Sequence, residues 1–159
     1  PGNVIELLNG RVKVYCQPNR QFMFMYLPSG RPLAYYRPRV ITREEPDHRG
    51  GTRTRRSVVI EGRDSRKGEN YWGDVHLYGG LEFENLIQAM CRDLLVYAMF
   101  GLERAGYPVA LHVHDEAVVE VLAGHGSVEE VQQIMGRLPR YAAGFPLTSK
   151  AWRDVRYVK

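Results

Sequence analysis

Apolar and polar positions follow three different rhythms along this chain. In the first third, Arg11 to Tyr15 and Gln21 to Tyr26 are short runs of β-branched, aromatic and Met residues. Pro28-Ser29-Gly30 then marks a turn before Pro32 to Tyr36. Such runs between turn residues predict strands, and here a small antiparallel hairpin region. Between Arg37 and Lys67 the apolar rhythm vanishes until Ser57-Val58-Val59-Ile60, which predicts a flexible loop followed by a short strand. From Leu81 to Arg104, Phe83, Leu86, Ile87, Met90, Leu94, Ala98 and Leu102 recur at steps of three and four, the period of a long amphipathic helix. Glu82 and Glu84 near its start and Arg104 at its end suit the helix dipole, and Gly106 supplies a left-handed terminator. Val109 to Val113 and Ala117 to Val121 flank a tight polar turn and predict a hairpin. Ser127 with Glu130 predicts a capping box opening a helix to about Arg137, stopped by Pro139, and Leu147 to Ala151 reads as a last strand. The order implies an α+β fold: an antiparallel sheet with one long helix and a short C-terminal helix, preceded by a small β-hairpin region.

Charge changes the reading of the middle segment. Residues 37–67 hold ten Lys or Arg against five Asp or Glu, whereas the whole chain of 159 residues has 22 against 18. The basic excess suits a polyanion such as nucleic acid. Arg53, Arg55 and Arg56, with Arg49, are candidates for sequence-independent backbone-phosphate contacts, or else lie on a solvated loop. Cys16 and Cys91 have no partner at metal-ligand or redox spacing and read as free thiols in a reducing cytoplasm. No apolar run reaches the roughly 18 residues that span a bilayer, and no signal peptide precedes the first strand, so a soluble, cytoplasmic protein is expected. The sequence starts at Pro1 rather than Met, as a processed chain or a piece of a longer one would.

The chemistry concentrates at Val113-His114-Asp115-Glu116, titratable residues at the tip of an otherwise apolar hairpin. A hard cation such as Mg²⁺ takes one or two protein carboxylates when substrate phosphates supply the other oxygens, and Asp115 is the natural ligand. Asp and Glu are also ordinary turn residues, so the tetrapeptide alone does not decide. His112 lies two positions before His114, which raises a His-x-His transition-metal site, though one without a third ligand. On the long helix, Asn85, Gln88 and Arg92 fall on one polar stripe, either a solvated face or one turned to a nucleic-acid groove. Amide side chains can read the acceptors that every base pair presents in the minor groove.

Taken together, Tyr78-Gly79-Gly80, the Glu84-Asn85-Leu86-Ile87-Gln88-Ala89 and Arg92-Asp93-Leu94-Leu95 helix, the Val-His-Asp-Glu hairpin and the Ala142-to-Leu147 stretch resemble the phage branch of family A DNA polymerases. There a helix carrying Asn and Gln leads into the His-Asp-Glu turn known as motif C. The resemblance runs from about Tyr78 to Trp152-Arg153 and Arg156-Tyr157. It is looser over Leu27-Pro28-Ser29-Gly30-Arg31 and the basic segment, which is similar to the region between fingers and palm. It implies a division into residues 1–77, that intermediate region, and residues 78–159, a palm segment. Asp115 would then bind one or both of two Mg²⁺ ions, Glu116 would orient metal water or the primer end, His114 would lie near the primer terminus, and Gln88 would contact the minor groove. Primer-template DNA and deoxynucleoside triphosphates would be the partners.

The sequence also departs from that family. No motif A aspartate and no fingers helix is recognisable. Arg63, Lys67 and Tyr71 have the fingers spacing, but Gly62, Gly68 and Gly73 argue against a helix there and make the spacing a coincidence. The expectation is therefore a phage or bacterial polymerase piece, excised or one half of a split enzyme, inactive alone. It would need a polypeptide carrying motif A and fingers, and its exposed apolar surface would favour self-association. Two other readings are a non-catalytic basic nucleic-acid-binding module and a small metal-dependent hydrolase using His112, His114 and Asp115.

Overall fold

A computed structural model describes residues 4–46, 50–64 and 67–157. The fold is α+β, and the chain divides into two compact units, Pro1–Ile87 and Gln88–Lys159.

In the first unit six antiparallel strands follow one another as a meander: β1 (Val4–Leu7), β2 (Val12–Cys16), β3 (Phe22–Tyr26), β4 (Pro32–Pro46), β5 (Thr52–Arg63) and β6 (Trp72–Leu77). The anticipated turn is present between β3 and β4, where the Gly30 amide donates to the Leu27 carbonyl at 2.9 Å and Gly30 takes φ +88°. Alternate positions divide the two faces. Val12, Met25, Tyr35, Val75 and Leu77 are buried along one of them, while their neighbours Phe22, Phe24 and Tyr36 on the other stay half-exposed. Val59, on β5, is the buried exception on the second face.

The N-terminal region is thus larger than a hairpin, and the basic segment is not a flexible loop followed by a short strand. Strands β4 and β5 form a long two-stranded ribbon in which Arg43 faces Arg55, Glu45 faces Arg53, and Thr42 faces Arg56. Glu45 accepts from both Arg53 and Arg55 at 3.5 Å, which offsets the like-charge pair Arg43 and Arg55. Arg49 lies outside the described residues. The Arg63, Lys67, Tyr71 spacing is not helical: Arg63 ends β5, and Lys67 donates to the Asp74 carbonyl at 3.0 Å with its ammonium over the Tyr71 ring.

Helix α1 (Gly79–Arg104) begins in the first unit and continues into the second. It ends in a Schellman motif: the Gly106 amide donates to the Glu103 carbonyl at 3.1 Å and the Tyr107 amide to the Leu102 carbonyl at 3.0 Å, with Gly106 at φ +83°. Tyr107 and Leu102 are then packed with Ile134 at the centre of the second unit's core, lined by Val109, Val119 and Val131. That core joins α1 to the hairpin β7 (Val109–Val113) and β8 (Glu116–Val119) and to helix α2 (Val128–Met135).

The capping box at α2 is half made. Ser127 Oγ accepts from the Glu130 amide at 3.0 Å, but the Glu130 carboxylate accepts from the Tyr107 hydroxyl instead of turning back to the Ser127 amide. That amide donates to Tyr107 Oη at 3.2 Å, so the buried tyrosine substitutes for the missing half. The strand expected at Leu147 to Ala151 does not form. Instead Ser149 exchanges two hydrogen bonds with Gln132 of α2, at 2.8 and 2.7 Å, and the tail is fastened by side chains rather than by a ladder.

Candidate functional site

The hairpin tip is a two-residue turn, His114 and Asp115, between the paired residues Val113 and Glu116. Two-residue turns that follow the right-handed twist of their strands need positive φ, usually supplied by Gly or Asn. Here His114 takes it, at φ +54°. A side chain in that region costs on the order of 1–2 kcal/mol, and residues held in such conformations cluster at functional sites. The strained residue presents an exposed imidazole beside the exposed Asp115 carboxylate.

Glu116 differs from Asp115 in being half-buried and engaged. Its Oε2 accepts from the Tyr157 hydroxyl at 3.0 Å. Because an ionised phenol would face this carboxylate, the hydrogen bond to Glu116 pushes the Tyr157 pKa up, and burial adds to it. Tyr157 is brought there by the tail. Besides the Ser149 bonds, the Arg153 guanidinium donates to the carbonyls of His125 and Gly126 at 2.6 and 3.2 Å. Nothing local in the sequence signals a contact between residues 41 positions apart.

His112 lies in β7 opposite Ala117, exposed. The two-residue period that would align it with His114 ends at Val113, since His114 belongs to the turn. Among the described residues no three His, Cys, Asp or Glu side chains come together to hold a metal ion. Asp115 and Glu116 are therefore the carboxylates this site can offer, and a cation held there would need further oxygens from a substrate or another polypeptide segment.

The remaining candidates are distributed over both units. Gln88 and Arg92 are exposed on the part of α1 that belongs to the second unit. Asn85 is on the first-unit part, half-buried, with its amide against the Tyr35 hydroxyl. Tyr35 is buried, which pushes its pKa up, and the Asn85 contact opposes that shift; the hydroxyl still lacks a well-directed hydrogen bond. Arg53 and Arg55 share one side of the exposed ribbon and Arg56 lies on the other. No helix among the described residues is long and apolar enough to cross a membrane.

Over 138 residues, 86% of its length, the chain is 39% identical to the DNA polymerase of Bacillus phage SP02. The match covers 20% of that protein, so the chain spans about a fifth of the relative's length. No protein-family model and no solved structure matches.

Proposed function

We propose that the chain is the C-terminal palm portion of a phage-type family A DNA polymerase, with the His114-Asp115-Glu116 turn as its share of the nucleotidyl-transfer site. The observation that carries this is the turn itself: a strained histidine and two adjacent carboxylates held at the tip of an apolar hairpin directly after α1. The 39% identity to a phage DNA polymerase supports it.

In this reading Asp115, exposed and without a competing hydrogen bond in the turn, is a ligand for Mg²⁺. Two such ions, when bound, stabilise the attacking primer 3′-oxygen and the leaving oxygen of the nucleotide. One aspartate fits this role, because Mg²⁺ sites commonly take one or two carboxylates and fill the rest with phosphate and water. A motif A carboxylate and the groups that bind the incoming deoxynucleotide come from a partner segment. Glu116, oriented by Tyr157, positions the primer end or a water beside it. His114 hydrogen-bonds near the primer terminus, and Gln88 reads minor-groove acceptors common to all base pairs. Arg92 lies on the same exposed helix face as Gln88, and Arg53, Arg55 and Arg56 add phosphate contacts.

The test is primer extension with Mg²⁺ and all four deoxynucleotides. The chain is assayed alone, together with the polypeptide encoded immediately upstream, and in that pair with Asp115→Ala. Extension is expected only in the pair, with Asp115→Ala lowering it by at least about 10³-fold, roughly 4 kcal/mol of transition-state stabilisation. The exposed position makes the stability cost of that substitution less than about 0.5 kcal/mol. Extension by the pair that survives Asp115→Ala would refute the assignment. DNA binding without extension in any mixture would favour a non-catalytic basic binding module.

A further inference from the structure

We infer that the outer face of the β2–β3–β4 sheet is a stacking platform for single-stranded DNA. On β3, Phe22, Phe24 and Tyr26 all point away from the buried side, and the register puts Tyr36 of β4 opposite Phe22 and Tyr15 of β2 opposite Phe24. The rings form a continuous line: Tyr36 to Phe22 at 5.3 Å, Phe22 to Phe24 at 5.7 Å in a stacked arrangement, and Phe24 to Tyr26 at 6.2 Å between centroids. None of these five rings is buried, although Val12, Met25 and Tyr35 on the opposite face of the same strands are. Aromatic side chains do not need this side of the sheet to build the core, since the other side already provides it.

The β-bulge after Tyr36 strengthens the case. The register slips between Tyr36 and Arg39, Arg37 takes φ +47°, and its amide donates to the Gln21 carbonyl at 2.8 Å. Simple alternation would have sent Arg37 to the buried face. The bulge instead turns its guanidinium over the Tyr36 ring, 5.1 Å from the centroid, while Pro38 is buried. A bulge that re-aims one arginine onto an aromatic line costs ladder pairing and places a cation where a phosphate would follow a stacked base. Among the described residues the register gives this whole sheet face seven Lys or Arg against four Asp or Glu. Several are already paired, as Arg37 is with Glu61 at 3.2 Å, so stacking supplies most of the affinity and charge a smaller part.

Stacking on exposed rings selects the strand state, because it needs base faces that are free. A duplex keeps its base faces covered and has none to offer. The choice of DNA over RNA rests on the polymerase reading above; the choice of a single strand rests on the rings.

The experiment is fluorescence anisotropy of the 159-residue chain with a thymidine 12-mer, a uridine 12-mer and a 12-base-pair duplex, all in EDTA. The thymidine strand should bind at least about tenfold tighter than the duplex and no weaker than the uridine strand. Phe22→Leu and Phe24→Leu, which keep apolar bulk and remove the π face, should each weaken it about tenfold. The slope of log K against log salt should stay near about −0.7 to −1.4, as one or two phosphate contacts on a single strand give, and Arg37→Gln should reduce its magnitude by about 0.7. Tyr26→Ser, at the exposed end of the line, keeps the test alive if the leucine variants misfold, and a loss of several-fold is expected. Equal or tighter duplex binding, tighter uridine binding, or folded ring variants that bind normally would overturn the inference. So would ring variants that leave DNA binding intact but abolish association with the upstream polypeptide, since the face would then be a protein interface. Because EDTA removes the metal chemistry, single-strand binding with no primer extension would sink the polymerase reading alone, and extension without ring-dependent binding would sink this inference alone.

Discussion

Gly126 is where a single added carbon should damage the second unit most. It takes φ +57°, and a Cβ built there overlaps Tyr107 Oη and falls 2.5 Å from its Cζ. Tyr107 cannot withdraw cheaply, because it is 1% exposed and packed with Leu102 and Ile134. If the ring moves, the Ser127 amide loses its acceptor; if the loop moves, the Ser127 cap on Glu130 and the Arg153 bonds to His125 and Gly126 are disturbed. Forcing a side chain into the left-handed region costs on the order of 1–2 kcal/mol, and overpacking adds about 1–3. Gly126→Ala should therefore destabilise the unit by about 2–5 kcal/mol. Urea unfolding followed by circular dichroism measures this. Gly126→Asn serves as a control: asparagine tolerates positive φ but carries the same Cβ, so it should keep the overpacking cost of about 1–3 kcal/mol. In the double variant with Tyr107→Leu, the loss should fall short of the sum by more than about 0.5 kcal/mol, as coupled neighbours do. A cost of less than about 0.5 kcal/mol for Gly126→Ala, a mild Gly126→Asn, or strict additivity would refute the argument.

Two further expectations concern titrating groups. The Arg39 guanidinium beside Asp74 holds that carboxyl below its usual value, so the ion pair stabilises the fold above the unfolded pKa of about 3.9 and is lost as pH falls through the lower folded value. Asp74→Asn should thus be less stable than the parent at neutral pH and equal to it in strong acid; a difference that persists unchanged at low pH would contradict this. Tyr157 should titrate late because of Glu116, and in Glu116→Gln its tyrosinate absorbance should appear at lower pH. An unchanged titration curve would mean that the tail does not hold the phenol against Glu116 in solution.

The elements that could be read from the sequence are those whose determinants are local. Helix α1 carries its own period, its own charge polarity and its own terminating glycine, and all three act within a turn or two. Helix α2 was readable at Ser127, but the use of Glu130 was not, because Tyr107 lies 23 residues away and reaches it only through the core. The β4–β5 ribbon escaped for a different reason. Both of its faces are largely exposed over residues 42–46 and 50–56, so no apolar alternation marks it, and its pairing shows only in cross-strand partners such as Glu45 with Arg53. A dense run of arginines looks like a solvated loop until the opposite strand is known. Strand β1 is short and exposed, and Gly73 and Asp74 mask β6, so both needed the neighbouring ladder to be recognised.

The same distinction separates the parts of the candidate site. The His114-Asp115 turn stands out because polar residues interrupt two apolar strands, and consecutive residues need no tertiary information to be placed together. What the sequence could not supply is the conformation of His114 and the engagement of Glu116. The first matters because, in the proposed reading, hydrogen-bond chemistry at the tip needs a side chain where glycine would be less strained. The second matters because it makes the two carboxylates unequal. Asp115 projects from the turn, whereas Glu116 is held by a phenol delivered by an irregular tail that Ser149 and Arg153 fasten to the unit. A pair of carboxylates differing in this way can divide the labour of one site: the exposed one is available to a cation, and the tethered one keeps a fixed direction. In the proposed reading the tail, whose described residues after Ala142 form no strand or helix, is part of the site's construction, because Ser149 and Arg153 hold the segment that brings Tyr157 to Glu116.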